Sequence, residues 1–270
     1  MMSLDAPAVA VLWQAILGRT ASEPARPAEA FVLGSSVWLA YCGDRWLEAW
    51  RLEPGKILTH RHRFHLEHRW ALALAWVAVL AADLAAAFGG LSRRQIRWGL
   101  ILLALVVTYL FSHQLIHRRT AWRIPKEFCV AFLFSAGASL FAAARSADAL
   151  VLMAVPLALF ALLCLSNCSL IAFWEHDVDA SHGETSISHQ LGGISALVRF
   201  GPWIVAAAAA AALALVPPAE RAATACAALA GVLLGLVDLG QGRMGRANSR
   251  VLADVALMTP AAWLALGLLK

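Results

Sequence analysis

Nine long apolar runs, nearly free of charge, limit this chain to one kind of fold. They span approximately residues 6–18, 29–50, 69–89, 96–116, 126–145, 148–176, 195–216, 219–240 and 249–268. Most reach the roughly 20 residues needed to cross a hydrocarbon core of ~30 Å. They are continuous Ala/Leu/Val stretches rather than alternating strands of ~10 residues, which predicts helices and not a barrel. The composition agrees, with 61% hydrophobic and only 14% charged residues and a mean hydropathy of +0.69. Water-soluble domains carry about a quarter charged residues. The expectation is an all-α integral membrane protein, a single domain over 1–270 with nine transmembrane helices, and no soluble domain.

Gly-, Pro- and Ser-containing breaks separate the runs at 21–27, 88–92, 216–218 and 240–249. The Ala-rich run 205–213 predicts close helix packing, because small side chains let backbones approach in lipid. No secretory pattern precedes the first run, where Asp5 and Pro7 stand without a small-residue cleavage site, so that helix is expected to be retained. The five cysteines (42, 129, 164, 168 and 226) include no C-x-x-C. Cys164 and Cys168 share a helix face, and small-residue packing accounts for them.

Nine crossings put the loops after runs 2, 4, 6 and 8 on one side. Those loops and the helix ends beside them hold 14 of the 22 Lys and Arg residues. The bias predicts that they face the cytoplasm together with the N-terminus. The net charge of +5 therefore reads as topology, and no nucleic-acid partner is expected.

On that same side the apolar runs end in acids. Asn167 to Ser188 reads NCSLIAFWEHDVDASHGETSIS, with Glu175 and Asp179 four residues apart and Asp177 between them. The run YCGDRWLEAW closes with Asp44 and Glu48 at the same spacing. Acids four apart on a helix share a face, and two such pairs repel unless a positive group sits between them. Hard oxygen ligands suit Mg²⁺, which binds through one or two carboxylates plus substrate phosphates. Arg45, Arg61, Arg63, Arg119 and Lys126 lie nearby in sequence and could hold terminal phosphate oxygens. Aromatic residues (Trp38, Tyr41, Trp46, Phe132, Phe134, Phe173, Trp174) are expected below this rim. A polar rim over an apolar cavity fits a substrate with a charged head and a hydrocarbon tail, such as an isoprenyl diphosphate.

On these residues the chain resembles the UbiA superfamily of intramembrane prenyltransferases, a divergent member by its degenerate first motif. That family has nine transmembrane helices and aspartate-rich motifs after helices 2 and 6. The first, N-D-x-x-D-x-x-x-D with D-R-x-x-D often inside it, is matched by Asp44-Arg45-x-x-Glu48, with Ala40 and Tyr41 where the Asn and first Asp stand. The second, D-x-x-x-D followed by Gly and Thr, is matched by Glu175, Asp179, Gly183 and Thr185. The resemblance implies a nine-helix UbiA-type bundle that moves a prenyl group from an isoprenyl diphosphate to a lipophilic acceptor. It implies Mg²⁺ held by Asp44, Glu48, Glu175 and Asp179, with Arg45, Arg61, Arg63, Lys126 and Asp177 contacting the substrate, and activity diverged or lost where the motif is eroded.

Two other readings start from other residues. His60, His62, His65 and His68, the pair His113 and His117, and His176, His182 and His189 suggest a di-iron membrane oxidase or desaturase, since imidazole suits iron. The H-x-x-H-H clusters of such enzymes are absent, and interfacial loops touching lipid phosphates account for the histidines more simply. Asp83, Asp238 and Asp254 fall in or near apolar runs, where a carboxyl is costly. Asp254 has Arg250 four residues away as an ion-pair partner. Asp83 has no local partner and motivates a transporter reading, although most acids gather at one face and not at the midplane.

Overall fold

The computed structural model describes residues 4–51, 68–112, 126–175 and 194–268, and within them each of the nine runs is largely helical. Of residues 45–51, 69, 267 and 268 it describes the backbone only. The elements are α1 (Asp5–Thr20), α2 (Pro27–Arg51), α3 (Arg69–Gly90), α4 (Arg93–Phe111), α5 (Lys126–Arg145), α6 (Ala149–Leu152), α7 (Ala154–Trp174), α8 (Ser195–Ala212), α9 (Pro218–Met244), α10 (Arg246–Ala256) and α11 (Thr259–Leu268). Seven helical stretches among the described residues are long and apolar enough to cross a membrane: α3, α4, α5, α7, α8, α9 and the run of α10 with α11.

Two of the expected spans are broken, each by a proline. A proline ring clashes with the carbonyl four residues earlier and supplies no N–H to it. Pro156 faces Leu152 in this way, and α6 ends at Leu152. Pro260 faces Ala256, and α10 ends at Ala256. The second break is stitched by its neighbours. Trp13 Nε1 donates to the Leu257 carbonyl at 2.8 Å, and Thr259 Oγ1 donates to the Cys226 carbonyl at 2.9 Å. The expected turn between α9 and α10 sits at Gly245, whose φ of +79° suits a residue without Cβ.

The short first helix is the hub of the bundle. Its Val9, Ala10, Trp13, Ile16 and Leu17 are buried, and it packs on α2, α5, α9, α10 and α11. Trp13 stacks on Phe160 of α7 with centroids 4.2 Å apart and planes at 15°. The Ala-rich run behaves as expected, with Val205, Ala206 and Ala209 buried against α9. A Cβ on Gly231 would lie 2.8 Å from the Pro202 carbonyl oxygen and 3.0 Å from Ala206 Cβ. A Cβ on Gly235 would overlap the Trp203 indole. These two glycines set how closely α8 and α9 approach.

At the end of the bundle where α1 and α5 finish, a polar knot ties α4, α5 and the α1–α2 link. Glu29 is 1% exposed; it takes a guanidinium N–H of Arg145 and the Gln95 amide at 2.7 Å. Arg145 Nε also donates to Glu23 at 2.8 Å, and its other amino group donates to the carbonyls of Glu23 and Pro24 at 2.6 and 2.9 Å. Gln95 completes a capping box with Ser92 at the start of α4. By contrast, α3 packs on α2 and α4 on α5, while α3 and α4 scarcely touch beyond their connecting turn.

Candidate functional site

Because successive helices alternate in direction, the C-terminal ends of α2, α4, α7 and α9 meet the N-terminal ends of α5 and α10. Asp44, Lys126 and Glu175 therefore lie at one end of the bundle, as the topology count expects. Asp44, in the second-last turn of α2, is half-buried and lies within electrostatic reach of the Tyr109 hydroxyl near the end of α4. Glu127 of α5 and Cys168 of α7 act on that same hydroxyl. Lys126, Glu127 and Asp254 in turn lie within reach of Cys168. Asp44 (α2), Tyr109 (α4), Lys126 and Glu127 (α5), Cys168 (α7) and Asp254 (α10) thus share one neighbourhood at that end of the bundle.

Of these, Glu127 and Tyr109 are found by the structure alone. Glu127 is 1% exposed, although it follows Lys126 directly in sequence. Asn167 was likewise not read as a site residue. It is buried, donates through Nδ2 to Asp254 at 3.1 Å, and its Oδ1 accepts no hydrogen bond among the described residues.

Glu175 caps the last turn of α7 and is paired with Arg250 of α10. Arg250 is thus engaged across the bundle, and Asp254 receives Asn167 in place of the purely local ion pair expected from their spacing. Asp238 of α9 accepts from Trp174 Nε1 at 3.0 Å and from Arg199 Nε of α8 at 2.9 Å. That carboxylate joins α7, α8 and α9, with one hydrogen bond to each oxygen. Asp83 has partners too: Ser35 Oγ at 2.5 Å and Ser36 Oγ at 3.4 Å, both on α2. Its burial is therefore explained by helix pairing, with no transported ion needed to satisfy it.

Several expected site residues fall elsewhere. Arg45 and Glu48 lie in the last two turns of α2, where the backbone alone is described. Arg61, Arg63, Arg119, Asp177 and Asp179 lie outside the described residues, as do all the histidines except His68, which is exposed. Two of the aromatic residues expected below the rim are placed otherwise. Phe132 is 64% exposed on the outside of α5, and Trp174 is buried in the core against Asp238. The two-residue stagger of Phe132 from the half-buried Phe134 could have been read from helical period, since Ala131, Ser135 and Ala138 mark the inward stripe.

Among the described residues, no three His, Cys, Asp or Glu side chains form a ready metal cage. The donors present still fit the way Mg²⁺ is bound, through one or two carboxylates and substrate phosphates rather than an all-protein cage. Asp44 and Asp254, with the unfilled Asn167 oxygen beside the latter, are hard oxygen donors of that kind.

This architecture is known. The chain superimposes on an apo structure of a UbiA homolog from Aeropyrum pernix K1 with a TM-score of 0.66 at 17% identity, covering 99% of this chain and 100% of that one. It has the fold of that UbiA homolog, an all-α membrane bundle. No protein-family model matches the sequence, and a search of curated proteins finds no match.

Proposed function

We propose that this chain is a divergent member of the UbiA superfamily and a Mg²⁺-dependent prenyltransferase, or the relic of one. The observation that carries the reading is the convergence of Asp44, Lys126, Glu127 and Asp254 at one end of a bundle with the UbiA fold. The substrate proposed is an isoprenyl diphosphate, and the acceptor a lipophilic molecule dissolved in the bilayer.

In this reading Asp44, Glu48, Glu175 and Asp179 hold the metal and Asp177 assists. Bound there, Mg²⁺ would draw charge from the diphosphate and ease departure of the allylic C–O bond. Lys126, with Arg45, Arg61 and Arg63, grips the terminal oxygens. Tyr109 and Glu127 orient the same head group from α4 and α5. Glu175 is the carboxylate most restrained, because Arg250 neutralises it; its share in the metal shell depends on how that pair divides its charge. The N-terminus and the acidic loops are proposed to face the cytoplasm, where soluble diphosphates are found.

Incubating the purified protein with labelled isoprenyl diphosphates and Mg²⁺, then measuring retention and diphosphate release, tests the proposal. Retention that needs Mg²⁺ and falls in both Asp44→Asn and Asp179→Asn supports it. Absence of retention, or retention indifferent to both substitutions, sinks it. Retention without release identifies a binding relic.

A further inference from the structure

At the opposite end of the bundle, three arginines open α4 with no partner. Arg93, Arg94 and Arg97 make no hydrogen bond or ion pair among the described residues, and the first turn of α4 contains no acid. The arrangement is doubly unfavourable by itself. Like charges four apart on a helix repel, and cations at a helix N-terminus oppose the macrodipole. An anion placed there relieves both.

The shape of the surface says which anion. Arg93 and Arg97 head a shallow, open depression of about 530 Å³ on the surface of α4, whose remaining lining is Ile96, Leu100, Ile101 and Ala104. These six residues form one stripe down α4, and the apolar part continues ~16 Å from Arg93 at 1.5 Å per residue. Because α3 leans on α2 and leaves α4, no other helix among the described residues lines that stripe. The arginines stand at the end of a helix of 19 residues, which is head-group level for a membrane-spanning segment.

We infer that the outer face of α4 is a binding site for one anionic phospholipid, its phosphate held by Arg93 and Arg97 and an acyl chain laid along Leu100, Ile101 and Ala104. Arg94, one residue round the helix, is outside the depression and marks the difference between a site and a generally basic surface. The site is independent of the diphosphate cluster at the other end.

Native mass spectrometry of detergent-solubilised protein, titrated with phosphatidylglycerol or with phosphatidylcholine of the same chains, tests it. One phosphatidylglycerol should be retained in preference to phosphatidylcholine. The double variant Arg93→Gln/Arg97→Gln should weaken it roughly thirtyfold, at about the usual contribution of two arginines at an anionic surface. Arg93→Gln and Arg97→Gln alone should each weaken it about fivefold, and Arg94→Gln clearly less than either. Ile101→Gln should weaken phosphatidylglycerol while leaving binding of inorganic phosphate unchanged. Equal retention of the two lipids, an Arg94→Gln effect as large as that of Arg93→Gln or Arg97→Gln alone, or inorganic phosphate binding as tightly as the lipid would each overturn the site. So would a dimer that buries α4. An unchanged thermal midpoint in lipid-free detergent checks that the variants fold.

Discussion

Asp44 and Asp254 are the two described carboxylates of the cluster with the most direct claim on a cation, since Glu175 is already paired with Arg250 and Glu127 is buried against α4 and α7. Replacing either by Asn keeps volume and removes charge. Each substitution is expected to lower Mg²⁺-dependent retention of isoprenyl diphosphate by about tenfold or more, the effect of one charge-assisted contact worth roughly 1.5–3 kcal/mol. Equilibrium retention on the purified variants measures it. The pair Glu175 and Arg250 calls for a different experiment, because removing either partner also strands the other. In a double-mutant cycle with Glu175→Gln and Arg250→Gln, unfolding in detergent should give a coupling of about 0.5–3 kcal/mol, the double variant being more stable than the sum of the singles implies. Additive effects would mean that the ion pair contributes nothing to holding α7 on α10. The acids at the ends of runs 2 and 6 were legible from sequence because charge stands out against an apolar background. Tyr109, Glu127 and Asn167 were not, since each looks ordinary within its own run and gains meaning only when α4, α5 and α7 come together.

Helices were easy to read as apolar runs, and their interruptions were harder. Pro156 and Pro260 are plain in the sequence, yet hydropathy alone runs straight through them. Their i−4 clash ends α6 and α10 at Leu152 and Ala256. Helix contact is set by absence of side chain at Gly231, which a composition reading sees only as a small residue. Gly231→Val would drive carbon into the Pro202 carbonyl and Ala206; backbone cannot yield as a flexible side-chain tip can. The expected cost is about 1–3 kcal/mol, the usual range for overpacking, observed as a lower unfolding midpoint with diphosphate retention unchanged. The Glu29–Arg145 knot was invisible for a different reason: its members are 116 residues apart, and no local pattern links them. Glu29→Ala leaves the Arg145 guanidinium half-compensated in a buried position and is expected to cost about 3 kcal/mol or more. Glu23→Ala removes a carboxylate that is 30% exposed and should cost at most about 1 kcal/mol. Chemical denaturation of the two variants side by side separates them, and equal losses would refute the assignment of Glu29 as the knot's centre.

At the scale of the molecule, the bundle has two chemically different ends. One gathers acids, Lys126 and the partnered Arg250, and is the end proposed to face the cytoplasm. The other holds the Glu29 knot and the three arginines that open α4. Lys/Arg bias orients a chain by counting charges outside the membrane, and the count of 14 against eight already includes Arg93, Arg94 and Arg97 on the minority side. The phospholipid site and the proposed orientation share no residues and stand or fall separately. Orientation is open to a direct test with the exposed alanines at the two ends. Ala147 lies in the bend between α5 and α6, and Ala247 lies in the first turn of α10. In intact cells a membrane-impermeant thiol reagent should label Ala147→Cys, whereas Ala247→Cys should react only after the membrane is opened. The five native cysteines are buried or half-buried within helices, so the parent chain sets a low background. The reverse pattern would turn the molecule over and put the acid cluster on the outer face, out of reach of cytoplasmic diphosphates, while the fold and the α4 depression would stand as described.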